Sequence, residues 1–127
     1  ARVADPIKRW MSSPVMTVSA TSTIGEATDL LQEARVRGLV VEDQEWPVGL
    51  FTQTEVLLAA TREASTPVEE VMSCALLCLP QNMPLFRATA LALETRARRI
   101  LCTAAREIHG ILSGLDMARV VATSPGP

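Results

Sequence analysis

The sequence predicts a mixed α/β (α+β) fold: two β-α-β-β-α repeats related by a pseudo-twofold axis, with their sheets packed face to face. Two observations carry this prediction. Sliding the 127-residue chain against itself by 61 positions superposes, without a gap, Pro6 on Pro67, Met11-Ser12 on Met72-Ser73, Ala27-Thr28 on Ala88-Thr89 and Gly49 on Gly110. The same shift brings Glu33, Arg35 and Arg37 onto Glu94, Arg96 and Arg98, and such self-similarity marks a duplicated structural unit. In each copy, moreover, the apolar pattern passes from strand-like to helix-like and back in the same order. A unit of about 60 residues buries only a modest core alone. Two copies covering each other's apolar surface, with a cleft where they meet, are therefore the expected architecture. The expected division is residues 1–64 for the first repeat and 65–123 for the second, leaving 124–127 (Ser-Pro-Gly-Pro) as a tail of linker composition.

Val15-Met16-Thr17-Val18 opens the first repeat as a short strand. Thr23-Ile24-Gly25-Glu26 reads as a capping box, with Thr23 at the N-cap and Glu26 reaching back. Behind it Ile24, Ala27, Leu30, Leu31 and Ala34 recur at helical spacing. Two strands are expected at 38–41 and 47–51, with Glu42-Asp43-Gln44-Glu45 turning between them, and Val56, Leu57 and Leu58 belong to a closing helix. The second repeat places its strands at 76–79, 100–102 and 108–112. Pro84, a favoured first-turn residue, opens its first helix, with Leu85, Ala88, Leu91 and Ala92 on one face. Leu115, Met117, Val120 and Val121 mark its last helix.

Composition narrows the function. The chain is 48% hydrophobic and 20% charged, the profile of a folded domain and not of a disordered one. A formal net charge of −2 with no Lys/Arg run argues against nucleic acid as a partner. No apolar run reaches the roughly 20 residues that span a bilayer. Residues 1–64 hold six basic and nine acidic side chains, residues 65–127 six and five, so the second repeat is the better host for an anion. Cys74, Cys78 and Cys102 are an odd set in apolar surroundings; they read as buried, reduced, structural thiols of a cytoplasmic protein, and no metal site is expected. His109 has no evident nucleophile partner.

Gly110-Ile111-Leu112-Ser113-Gly114-Leu115-Asp116 is the stretch with chemistry. Ser-x-x-Asp at a strand-to-helix junction caps the helix and meets its positive end. It also suits a nucleotide. A hydroxyl and free helix N–H groups attract phosphate, a carboxylate accepts the two hydroxyls of a ribose, and glycine admits a close approach. Thr52-Gln53-Thr54-Glu55 is the matching device in the first repeat.

The duplicated unit resembles a tandem pair of cystathionine β-synthase (CBS) domains, a Bateman module. The resemblance rests on Trp10-Met11-Ser12-Ser13-Pro14-Val15, on Leu30-Leu31 through Val36 to Asp43, and on Val48 to Glu55, echoed by Val71-Met72 and Gly110 to Asp116. It covers about residues 6 to 122. It implies a regulatory module that binds an adenosine-containing ligand such as AMP, ADP, ATP or S-adenosylmethionine, with no obligatory cofactor. The family signature Gly-h-x-(Ser/Thr)-x-x-Asp is complete in the second repeat. That implies Ser113 at phosphate and Asp116 at the ribose, with Gly110 as its opening glycine. Leu77, Cys78, Arg99, Ile100 and Leu101 would lie beside the adenine. The first repeat departs from the signature at Glu55, so Thr17, Thr52 and Glu55 make the weaker second site. Leu101-Cys102-Thr103-Ala104 departs from the family's usual Pro-Val-(Val/Ile)-Asp run, a departure in the pocket itself. Arg96 and Arg98 recur as Arg35 and Arg37 and read as helix-end residues; Arg99, matched by Gly38, is the candidate for reaching a phosphate.

No catalytic constellation is visible, so the leading expectation is a non-enzymatic adenine-nucleotide sensor that signals to a fused or separate effector domain and pairs as a homodimer through its CBS modules. A ligand-free dimerisation scaffold is the alternative. A thiol enzyme using Cys102 and His109 is the third reading weighed.

Overall fold

Strand β1 (Thr17–Ser19), helix α1 (Ile24–Ala34), strands β2 (Gly38–Asp43) and β3 (Trp46–Thr52) and helix α2 (Gln53–Leu58) build the first repeat. Strand β4 (Leu76–Pro80), helix α3 (Leu85–Thr95), strands β5 (Arg99–Ala104) and β6 (Glu107–Ser113) and helix α4 (Gly114–Thr123) build the second. The computed structural model describes residues 2–123, so the tail expected at 124–127 lies outside the described residues. Each repeat holds a three-stranded sheet, in the order β1-β2-β3 or β4-β5-β6. The first pair of strands is parallel, joined by its crossover helix, and the second pair is an antiparallel hairpin. Both hairpins carry an irregularity at the same place, Val41/Glu42 and Cys102/Thr103.

The hairpin turns have two central residues each, Gln44-Glu45 and Ala105-Arg106, all left-handed with φ between 50° and 65°. Positive φ at both positions matches the twist of the flanking strands, and Asn-Gly is the pair that adopts it with least strain. Ala105→Asn with Arg106→Gly should therefore stabilise the chain by about 1–2 kcal/mol, since each left-handed non-glycine residue costs about that much. A urea titration with unchanged slope would check it.

Helix ends differ from expectation in two places. Thr23 does accept from the Glu26 amide at 3.1 Å, but the Glu26 side chain is exposed and makes no return bond among the described residues. Pro84 precedes α3 instead of starting it. Its ψ of 140° is extended, and its carbonyl receives the Arg87 and Ala88 amides, both at 3.1 Å. Arg35 and Arg96 end their helices in the left-handed conformation.

In space the chain divides differently from its sequence repeats. Met16–Cys74 form one compact unit, contiguous in sequence; the described residues up to Val15 and from Ala75 form the other, split unit. The contiguous unit centres on Ile24, Leu39, Val41, Phe51 and Val68, each less than a tenth exposed. The split unit centres on Ile7, Leu85, Ile100, Cys102 and Leu112. Each unit thus takes its head segment, a Pro-(Ile/Val)-x-x-x-Met-Ser stretch, from the other repeat. Ser12 exchanges two backbone bonds with Ile111, both 2.9 Å, and Ser73 does the same with Leu50 at 2.8 and 2.9 Å. Single 3-10 turns at Ile7–Arg9 and Val68–Glu70 shape the two segments.

Candidate functional site

The candidate site lies where β6 runs into α4. Strand register fixes which side chains share a face, because neighbours across a sheet point the same way and alternate along each strand. Leu76, Arg99 and Ser113 form one row; Leu77, Ile100 and Leu112 the next; Cys78, Leu101 and Ile111 the third. The middle row belongs to the helix-covered core, where Ile100 and Leu112 are fully buried and Leu77 packs against them. Arg99, Ser113, Cys78 and Leu101 therefore share the opposite face of the sheet. The structure brings these four together and separates them from Leu77 and Ile100, whose side chains serve the core.

Ser113 and Asp116 form a reciprocal capping box. Asp116 Oδ2 accepts from the Ser113 amide at 2.9 Å and from its hydroxyl at 3.0 Å, and Ser113 Oγ accepts from the Asp116 amide at 3.2 Å. Both side chains remain half-buried. A side chain added at Gly114 would meet nothing within 4 Å, so the first turn of this ten-residue helix is open to approach. Arg99 pairs across the strands with Ser113 and donates Nη1 to the Arg98 carbonyl at 3.1 Å.

Gly110 has another use. A Cβ there would lie 2.6 Å from Cγ and 2.9 Å from Cβ of Met11, so the glycine admits the head segment's methionine. Met72 covers Gly49 in the same way, its Sδ 2.5 Å from the position of a Cβ. A close approach by another part of the chain or by a ligand was the expectation at this glycine, and the paired Met-Ser at a 61-residue spacing was the signal for the methionine.

The first repeat repeats the box in a closed form. Glu55 Oε1 accepts from the Thr52 amide at 2.9 Å and from its hydroxyl at 2.6 Å, and Thr52 Oγ1 accepts from Thr54 at 3.2 Å. Thr52 and Glu55 are only 4% and 3% exposed. Glu55 bonds back to its cap as Asp116 does but is buried there, while Thr17 stands exposed on β1.

The thiols are not uniform. Cys102 is buried and Cys78 half-buried, as free cysteines, but Cys74 is exposed, because it falls in the connector before β4 and not in a strand. Burial pushes the Cys78 thiol up and the Cys102 thiol from 9.0 to about 12. A thiol so held is no nucleophile near neutrality, and His109 is exposed on β6 with Glu107 at 3.9 Å. The folded state binds the Cys102 proton more tightly, so this stabilisation is complete below about pH 9 and is lost as pH rises toward about 12. Unfolding free energy should thus fall by up to about 1.4 kcal/mol per pH unit on that limb. Cys102→Ala should flatten it, which urea titrations at about pH 8 and about pH 10.5 would reveal. Among the described residues no cluster of three His, Cys, Asp or Glu could hold a metal ion, and no helix is long and apolar enough to cross a membrane.

The family model described as CBS domain matches residues 7–62. The chain is 33% identical over 115 residues to the CBS domain-containing protein YhcV of Bacillus subtilis (strain 168), covering 88% of this chain and 82% of that one. Its fold is similar to that of an uncharacterised conserved protein from Pyrococcus horikoshii, with a TM-score of 0.77, 26% identity and 98% of each chain covered. It is also similar to the CBS domain pair of protein MJ0100, solved in complex with 5′-methylthioadenosine and S-adenosyl-L-methionine. There the TM-score is 0.76 at 19% identity, over 92% of this chain and 95% of that one.

Proposed function

Because the chain belongs to the CBS-domain family, we propose that it is a regulatory CBS pair whose second repeat binds an adenosine-containing ligand and passes its state to a fused or separate effector domain. One observation carries this reading. Ser113 stands half-exposed on the same sheet face as Arg99 and Cys78, and Asp116, half-exposed on the first turn of α4, is bonded to it. The chemistry suits a nucleotide: hydroxyl, helix N–H groups and guanidinium for phosphate, a carboxylate oxygen for the ribose hydroxyls, and the half-buried Cys78 for a base, whereas Leu101 on the same face is fully buried and offers no surface. The ligands carried by the MJ0100 pair are of the same class. AMP, ADP, ATP and S-adenosylmethionine are the candidates.

Closure of the Thr52–Glu55 box supports a single working site per chain. Free thiols fit a cytoplasmic setting. A thermal-shift series with the four ligands tests the proposal. A true ligand at about 100 times its Kd adds roughly 2.7 kcal/mol of stability, and calorimetry should count one ligand per chain. A flat response to all four would end the sensor reading.

A second reading has its own observation. Leu57, Leu58 and Leu93 are three-quarters exposed on helices α2 and α3, and Phe86 is 57% exposed. Grooves of about 290 and 580 Å³ run between the two helices of each repeat, lined at positions 61 residues apart, Thr28 with Thr89 and Val56 with Met117 among them. Such faces suit a homodimer in which the modules serve as a scaffold.

A further inference from the structure

We propose that the surface receiving residues 5–12 on the split unit is a peptide-binding groove, and that its alternative occupant is the same head segment of a second copy of this chain. The head segment is held as a bound peptide is held: backbone bonds give affinity, and side chains in pockets give specificity. Leu85 donates its amide to the Asp5 carbonyl at 2.8 Å, Ile7 donates to Met83 at 2.9 Å, and Lys8 donates to Gln81 at 3.0 Å. Ser12 closes the run through its two bonds with Ile111. Between these clamps Ile7 is fully buried against Leu79, Leu85, Ala88 and Leu112, with Trp10 and Met11 packed on the same core.

The covalent path makes this contact unusual. From Val15 the chain must pass through the whole of Met16–Cys74 before it returns to the unit that holds Ile7. The head segment is therefore a ligand on a long tether, and its occupancy in cis depends on effective concentration, for which an identical segment from another copy competes. Exchange of an identical element is a low-cost route to dimers because no new interface is required. The chain also distinguishes its two head segments by charge. Lys8-Arg9 occupies the place of Glu69-Glu70, with Arg9 at 3.5 Å from Asp5 and Arg62 at 2.9 Å from Glu70. Arg62 faces the acidic segment in the other unit, so Lys8-Arg9 would meet a like charge there, and residues 5–12 are left to this groove.

The test uses full-length chains. Ile7→Asp disables the segment but leaves the groove, so the midpoint of thermal unfolding should fall. A synthetic peptide of residues 3–14 should raise it again with saturation, and the same peptide carrying Asp at position 7 should not. Ile7→Ala provides the same readout should the aspartate variant fail to fold. Gly110→Leu blocks the groove where Met11 sits but leaves the segment intact. Co-refolded Ile7→Asp and Gly110→Leu chains should give mixed dimers, seen by native mass spectrometry, with a midpoint above that of either chain alone. An unmoved midpoint at millimolar peptide overturns the groove. Peptide rescue without mixed dimers, or mixed dimers without a gain in midpoint, overturns the second copy as occupant. None of these readouts involves a nucleotide, so they stand or fall apart from the sensor reading.

Discussion

Phe51→Ala should lower the unfolding free energy by about 3–5 kcal/mol, the loss typical of truncating a buried aromatic. Phe51 is the largest of the fully buried side chains. It projects from β3 into the core formed by Ile24, Leu39, Val41 and Val68. Removing its ring leaves a hollow that Ile24 and Val68 cannot fill, because one is fixed on a helix and the other on the head segment that Ser73 ties to Leu50. Urea unfolding and amide exchange would measure the effect, with exchange in residues 16–74 accelerating most. Leu93→Ala serves as the contrast. That side chain is 76% exposed, and its loss should fall within about 0.5 kcal/mol of zero. A Phe51→Ala loss below about 1 kcal/mol would mean that this core does not govern stability.

Asp116→Ala should nearly abolish the nucleotide response: a loss of about 100-fold in affinity cuts the ligand-induced stability from about 2.7 to about 0.4 kcal/mol at the same ligand concentration. The variant also forfeits its capping bonds with Ser113, so its ligand-free midpoint should drop by about 0.5–2 kcal/mol. Each variant must therefore be compared with its own ligand-free state. Asp116→Asn separates the two roles. Its single amide oxygen can replace Oδ2 in the cap, but the remaining NH2 is a donor and cannot accept the hydroxyls of a ribose. The asparagine chain should hence fold nearly as the parent does and still ignore the nucleotide. An Asp116→Asn chain that responds fully would remove the carboxylate from the binding account.

The duplication was legible because it sits in residues that geometry restricts. Gly49 and Gly110 must lack a side chain to admit Met72 and Met11, so glycine and methionine recur in step. The two hairpins were legible from apolar runs broken by charge, although Ala105-Arg106 carries no turn signature at all. Membership of Ile7 and Val68 in the opposite repeat's core was not legible. A 3-10 turn of three residues has no periodicity to read. Leu77 and Ile100 show a related limit. Alternation says that they differ in orientation from Cys78 and Leu101, but only the position of the helices says which pair joins the helix-side core, and Leu101 is fully buried as well. Glu55 was recognised as a departure, yet it makes the same two bonds to its cap as Asp116 does; what sets the first box apart is its burial.

The way the split unit is assembled has a consequence for biosynthesis. On the ribosome every core residue of Met16–Cys74 is available before Ala75 emerges, so that half can condense while translation continues. Ile7 has no such opportunity. Its pocket is completed by Leu112 and Met117, more than a hundred codons later, and until then the nascent chain displays an apolar stretch within reach of chaperones and of neighbouring polysomal chains.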